Sequence, residues 1–280
     1  MVVPSNNGIN VRGTIVNDGR ITLGSGQPGP SQLLLNGPMT FQGSGRVVMP
    51  NTEARFNWSG SGTEQLTNGP GHSLEGLGLI LTMPAVNAGI LRPGLDGPAP
   101  TFGTLYFDRT LACTPSSSAV FTVGGTGPAD YDRVQVGQTL TLNGELRIEL
   151  APGYQPPPGA IFPLMSGSTR TGVFASRTLA PLASGRQWRI EYTPTGVRAR
   201  VALCAADIAT EGSTDLNSGP DGFVTGTDFD VFIQAFFTEA RNTAGDYIAD
   251  LTDNLGQGGP DGFLTGSDFD YYIQAFFSGC

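Results

Sequence analysis

The stretch Leu66-Thr-Asn-Gly-Pro-Gly-His-Ser-Leu-Glu-Gly-Leu-Gly-Leu-Ile80 carries the pattern that decides the fold of this chain. A glycine, a few alternating apolar residues and a polar turn follow one another, which is typical of short, half-buried β-strands. The pattern runs from Ile9 to Phe107, and no helical spacing survives its glycines. Such short strands bury little alone, so we predict a β-solenoid whose rungs pack on one another. A β-sandwich is the alternative, because strand spacing does not separate the two folds.

The charge of the chain changes near residue 200. All 15 basic residues are Arg, and the net charge of −9 argues against nucleic acid and against an anionic membrane as partners. The apolar runs are too short for a membrane span. Residues 201–280 hold 13 acids and one Arg, Arg241, a net charge of −12. Since this segment is also rich in Phe and Tyr, unlike a solvated acidic tail, it indicates folding assisted by a bound cation.

An internal duplication lies within the acidic segment. Residues 219–237 recur as residues 259–277, at an offset of 40 residues. Apolar residues with helical spacing in the first copy predict a short amphipathic helix. They are Phe229, Phe232, Ile233, Phe236 and Phe237. A T-x-x-D signal, repeated as S-x-x-D, predicts that the hydroxyls of Thr227 and Ser267 cap the two helices.

The first half of each copy has the residues of an EF-hand-type calcium loop. Oxygen ligands in such a loop come from positions 1, 3, 5, 7, 9 and 12, and position 6 is glycine. With Gly222 at position 6, the first copy supplies Asp221, the Phe223 carbonyl, Thr225 and Asp228. The second copy supplies Asp261, the Phe263 carbonyl, Thr265 and Asp268. Neither loop contains His or Cys, so a hard cation is favoured over zinc.

This D-G-x-V/L-x-x-x-D-F unit, in two copies each followed by a helix, resembles the type I dockerin module of secreted bacterial proteins. The resemblance implies about two bound calcium ions and a protein partner, such as a cohesin-like domain or a cell-envelope component. The chain departs from the family pattern upstream, where Gly219 and Gly259 fall at position 3 and offer no side-chain ligand. Asp207 and Asp250 are better first ligands if each loop carries an insertion. A purely structural pair of acidic helices is the alternative.

The amino-terminal part resembles bacterial surface proteins with autotransporter-type β-helical repeats. Residues 66–80, followed by Asn87-Ala-Gly-Ile90, match successive rungs of those repeats. The resemblance implies a mainly β fold: a right-handed β-solenoid over residues 1–110 and a β-rich closing region over 111–203. The duplication at 204–280 then forms a small α-helical module with two calcium loops.

The cysteines and the chain start bear on location. Cys204 and Cys280 bracket the acidic module, and both a bridge between them and free thiols remain open. We expect an extracellular or cell-surface protein. Since the chain lacks a signal peptide, we expect it to be a fragment of a longer one.

No catalytic constellation stands out in the sequence. There is no G-x-S-x-G motif, and the single histidine, His72, is expected to be a satisfied surface or corner residue. We therefore expect a non-catalytic structural or adhesive protein, attached to a partner through the calcium-dependent module. The alternative is a carbohydrate-binding or polysaccharide lyase-like β-helix protein, for which Trp58 and Tyr106 are candidate sugar-stacking residues. Such lyases use an acidic cluster together with an Arg or Lys base, and residues 1–200 have Arg but neither an acidic cluster nor Lys.

Overall fold

The structure of the chain is a computed structural model. It describes residues 1–24, 29–58, 60, 62–95, 97, 100–183, 186–202, 205–216, 218, 224–242, 245–252 and 260–278. The chain forms two compact units. The first unit comprises Met1–Tyr154, Pro163–Ala180 and Pro194–Gly196, and the second comprises Gln155–Phe162, Pro181–Thr193 and Val197–Cys280.

Short strands account for nearly all regular structure in the first unit. They are β1 (Val2–Val3), β2 (Asn7–Val16), β3 (Arg20–Leu23), β4 (Ser31–Gln42), β5 (Arg46–Met49), β6 (Ala54–Trp58), β7 (Leu66–Asn68), β8 (Ser73–Gly76), β9 (Leu79–Ile80), β10 (Ala85–Asn87), β11 (Ile90–Pro93), β12 (Thr104–Phe107), β13 (Leu111–Cys113), β14 (Ser118–Val123), β15 (Arg133–Val136), β16 (Thr139–Leu142), β17 (Glu145–Leu150), β18 (Ile161–Ser166), β19 (Thr169–Gly172) and β20 (Ser176–Leu179).

These strands stack in parallel into a β-solenoid of about six turns. Strand β4 shows how a turn is built, because its first half pairs with β6 and its second half with β7, as Leu33 opposite Phe56 and Met39 opposite Leu66 show. Strand β4 thus bends at a corner of the solenoid and contributes to the two faces that meet there. The third face has the strand order β1-β3-β5-β8-β11-β14-β17-β20. The prediction of a solenoid is confirmed, and its parallel pairing excludes the antiparallel β-sandwich.

The interior of the solenoid is made of apolar side chains in register. One stack follows paired positions through successive turns, and each member is at most 3% exposed: Leu33, Phe56, Ile80, Phe107 and Val136. Because alternate residues of a strand point to opposite faces, the alternation in the sequence places these residues inside. Each rung therefore buries its apolar residues only by packing on its neighbours.

His72 is a buried corner residue whose ring nitrogens are both satisfied. Asn17 Nδ2 donates to His72 Nε2 at 3.0 Å, and His72 Nδ1 donates to Asn68 Oδ1 at 2.7 Å. The ring stacks on Phe41, with centroids 5.0 Å apart. Burial lowers the pKa of His72 to about 4, so the imidazole is neutral in the fold. The expectation of a satisfied corner histidine is confirmed.

The second unit contains β21 (Gln187–Thr193), β22 (Gly196–Ala202), α1 (Gly226–Thr238) and α2 (Gly266–Ser278). An ion-pair network links the two strands, because the Glu191 carboxylate accepts hydrogen bonds from Arg198 Nε at 2.5 Å and Arg200 Nε at 2.7 Å. Glu191 lies on the strand that precedes the acidic repeats. The planar guanidinium group of arginine, with its fixed N–H donors, suits ion pairing with a partly buried carboxylate such as that of Glu191.

The two helices pack with twofold pseudosymmetry. Phe232 and Tyr272 occupy the same position in the two repeats, and their rings stack at 3.7 Å with parallel planes. The ring centroids of Phe229 and Phe276 lie 5.4 Å apart, and those of Phe236 and Phe269 lie 5.5 Å apart. The start of each helix thus meets the end of the other, so the helices are antiparallel. The apolar face predicted from the sequence forms the core of the pair, except for Phe237, which is 73% exposed.

Candidate functional site

The second repeat folds its first carboxylate back onto the Asp-Gly turn. Asp250 is 3% exposed, and its Oδ1 and Oδ2 accept hydrogen bonds from the backbone amides of Asp261 at 3.1 Å and Gly262 at 2.7 Å. Asp261 Oδ1 in turn accepts from the Phe263 amide at 3.0 Å. Two of the predicted ligands, 11 residues apart in sequence, are thus neighbours in the structure.

Asp268 closes the same loop onto α2. Its Oδ1 accepts from the amides of Leu251 and Thr252, both at 2.9 Å. Its Oδ2 accepts from the amide of Thr265 at 2.9 Å and from the Thr265 hydroxyl at 3.1 Å. The side chain is fully buried. Each oxygen therefore accepts two hydrogen bonds, which is its full capacity.

The first repeat has the same arrangement. Asp228 Oδ1 accepts from the amides of Ile208 and Ala209 at 2.8 Å, and its Oδ2 accepts from the Thr225 amide at 2.8 Å. Ile208 and Ala209 follow Asp207 as Leu251 and Thr252 follow Asp250. Asp207, which is 1% exposed, is therefore the structural equivalent of Asp250 although the two loops differ in length. The upstream aspartates predicted as first ligands occupy matching places.

The helix caps differ from the prediction. Thr225, not Thr227, is the N-cap of α1, and it forms a capping box with Asp228. Thr265 makes the matching bonds at the start of α2, where its hydroxyl accepts from the Ser267 amide at 3.2 Å. The predicted Thr227 and Ser267 caps are therefore wrong by two residues. The physical reason is burial: Asp228 faces the loop amides, whereas Asp230, the partner that the prediction required, is exposed.

Like charges surround the first carboxylate of the second loop. Burial, together with the nearby carboxylates of Asp268 and Asp261, raises the pKa of Asp250 to about 6, against the opposing effect of the two backbone hydrogen bonds. The Arg189 guanidinium of β21 interacts with both Asp207 and Asp250. Burial lowers the pKa of Arg189, and the carboxylates oppose that shift. Arg189 thus interacts electrostatically with the first carboxylate of each repeat.

The donor chemistry of these loops suits a hard cation, but the described residues do not by themselves assemble a metal site. Carboxylate, hydroxyl and carbonyl oxygens are the ligands that calcium prefers. Within the described ranges, no three His, Cys, Asp or Glu side chains are grouped so that they could hold a metal ion. The predicted ligands Asp221 and Phe223 lie outside the described residues, as do Cys204 and Cys280. The calcium site therefore stays a prediction.

A surface pocket, which no motif in the sequence predicts, lies beside the second loop. Its walls are five residues: Glu239, Tyr247, Phe263, Leu264 and Thr265. Phe263 was singled out for its carbonyl, but its ring is 64% exposed. Glu239 and Tyr247 belong to the segment between the repeats, which has no motif. The one sequence signal is that Arg241, the sole basic residue after position 200, lies between them.

Comparison with known proteins leaves the family open. Neither a scan against protein-family models nor a search of curated proteins finds a match to this chain. None of the helices in the described part of the chain has the length and apolar character needed to cross a membrane.

Proposed function

We propose that this chain is a non-catalytic, extracellular or cell-surface structural or adhesive protein. Its β-solenoid acts as a spacer, and its duplicated acidic module mediates calcium-dependent attachment to a protein partner. A cohesin-like domain or a cell-envelope component is the kind of partner that the dockerin resemblance suggests. About two calcium ions are expected, one for each repeat.

The observation that carries this proposal is the matched pair of loops. Both repeats tie a loop to its helix through one buried aspartate, Asp228 or Asp268, and both bring an upstream aspartate to a matching place. Oxygen donors that recur in both copies of the duplication, in a segment with a net charge of −12, are a composition that a divalent cation would stabilise. The pseudosymmetric helix pair would then present a defined surface.

Calcium titration of the full chain tests the proposal. After treatment with a chelator, the wild-type chain should take up about two calcium ions in a calorimetric titration, and magnesium should bind more weakly. Asp261→Asn is the sharpest variant, because Asp261 is exposed and its loss should cost little stability. It should remove one site, whereas the matched control Asp270→Asn, also exposed, should bind like wild type. No uptake at millimolar calcium, or unchanged uptake by Asp261→Asn, contradicts the proposal.

The carbohydrate alternative receives less support from the solenoid. Trp58 is 45% exposed, but the strand register aligns Tyr106 with Leu79 and Leu79 with Arg55, three residues before Trp58. Since residues rise by about 3.3 Å along a strand, the two rings do not share one platform. This alternative would be supported if the full chain bound soluble polysaccharides and Trp58→Ala abolished that binding.

A further inference from the structure

The pocket beside the second loop combines a free carboxylate with an exposed aromatic ring. It is a surface cavity of about 340 Å³ between the end of α1 and the start of α2. Glu239 follows α1 in a left-handed conformation, with φ at 51°, and its amide is bonded to the Ala235 carbonyl. That bond fixes its backbone, while its side chain is exposed. Within the described part of the chain, Glu239 makes no ion pair.

The aromatic wall of the pocket is open to solvent. Phe263 is 64% exposed and lies outside the core of the helix pair, in which Phe232 and Tyr272 are buried. The Thr265 hydroxyl is already used in capping α2, so Thr265 offers little further polar chemistry. The pocket therefore offers chiefly one negative charge and one open ring face.

The chain itself shows which group suits this environment. The Arg241 guanidinium lies 3.7 Å from the ring centroid of Tyr247, another wall of the pocket, and donates to the Gly245 carbonyl at 2.6 Å. A guanidinium over an aromatic face is a cation–π contact. Arg241 is the only basic residue of the acidic segment, so no second cation from that segment is available for Glu239 and Phe263.

We propose that this pocket binds a basic side chain, with a guanidinium preferred, presented by the partner protein of the acidic module. The cation would pair with Glu239 and lie over the ring of Phe263. The net charge of −12 of the segment would draw such a partner in. This inference rests on the proposed attachment function and specifies the surface chemistry of the partner: a protruding arginine in a positively charged patch.

A peptide pair tests the proposal. The probes are a pentapeptide with one central arginine between Gly and Ser residues and the same peptide with citrulline, which keeps the shape without the charge. Two-dimensional NMR of the full chain should show saturable shifts at Phe263 and Leu264 with the arginine peptide, weakening as salt is added. Citrulline should bind at least about fivefold more weakly, as expected for the loss of one ion pair and one cation–π contact.

Variants locate the binding. Glu239→Gln and Phe263→Ala should each weaken arginine-peptide binding about fivefold, while Phe237→Ala, a matched control at another exposed ring, should not. Because Glu239 is exposed, Glu239→Gln should leave the fold intact, so weaker binding by this variant cannot be attributed to unfolding. Equal binding of the two peptides, or wild-type binding by Glu239→Gln, overturns the inference. If the arginine peptide binds but the chain takes up no calcium, the calcium proposal is wrong and the arginine pocket is supported. If the chain takes up calcium but does not bind the arginine peptide, the arginine pocket is wrong and the calcium proposal is supported.

Discussion

Replacing Asp268 by alanine should release the second loop from its helix. The carboxylate is fully buried and accepts hydrogen bonds from three backbone amides, those of Leu251, Thr252 and Thr265, besides one hydroxyl. A buried amide left without a partner costs about 1–3 kcal/mol. Since water enters the opened loop and restores part of this bonding, we expect a loss of about 4 kcal/mol, a large fraction of a typical domain stability.

The matched control is Asp270→Ala, in the second turn of the same helix. Asp270 is exposed, and since the helix-dipole effect falls off within the first turn, its loss should cost no more than about 1 kcal/mol. Hydrogen exchange measured by mass spectrometry on the full chain, in chelator, separates the two variants. A loss of 4 kcal/mol corresponds to about a thousandfold faster exchange in α2, against no more than about fivefold for the control. If the α2 amides of Asp268→Ala exchange within fivefold of the control, the carboxylate does not hold the loop, and the reasoning fails.

Two further perturbations test the solenoid. Because the pKa of His72 falls from 6.5 to about 4 on folding, its contribution to stability is complete above pH 6.5 and is lost as the pH drops towards 4. Urea unfolding should show that the wild type loses up to about 3 kcal/mol of stability relative to His72→Gln over that pH range. Parallel pH profiles of the two proteins would contradict this. Gly76→Ala should destabilise the fold by more than about 2 kcal/mol, because φ of Gly76 is +118° and a Cβ would lie 1.9 Å from the Met49 carbonyl oxygen. The control is Gly153→Ala, since Gly153 has φ at +78° and open space around it. Equal unfolding midpoints for the two variants would count against the packing argument.

The solenoid follows from local pattern, and for that reason it was predictable. Alternation in short strands determines which side chains point inward, and Gly76 shows why glycine punctuates the rungs: its backbone passes so close to Met49 that no side chain fits. The bend of β4 around a corner was not predictable, since nothing in its sequence separates the half that pairs with β6 from the half that pairs with β7. Which face a strand joins depends on its neighbours in the stack.

The repeats show a different limit of sequence reasoning. Loop spacing and helix periodicity identified the aspartates and the ring-lined core, which are local features repeated at an offset of 40 residues. Two overlapping T-x-x-D signals started at Thr225 and at Thr227, and both satisfy the capping pattern. Only the tertiary contact decides between them, because the carboxylate that reaches back must also meet the amides of Ile208 and Ala209. The pocket at Glu239 depends on chain reversal between the repeats and has no local signal.

The saturated carboxylate of Asp268 separates the stability of the module from its proposed metal binding. Both of its oxygens already hold two hydrogen bonds, so calcium coordination by Asp268 requires that some of these bonds be exchanged for metal contacts. Asp261 is exposed, and its Oδ1 accepts a hydrogen bond from the Phe263 amide that the Oδ1 of asparagine can also accept. Ligand binding adds about 2.7 kcal/mol at a concentration one hundred times the Kd. Asp261→Asn should therefore lose this calcium-dependent increment and keep its stability in chelator, whereas Asp268→Ala should already be destabilised in chelator. The same segment thus has a buried carboxylate that holds the loop without metal and an exposed carboxylate that is proposed to bind metal, and the two variants distinguish these roles.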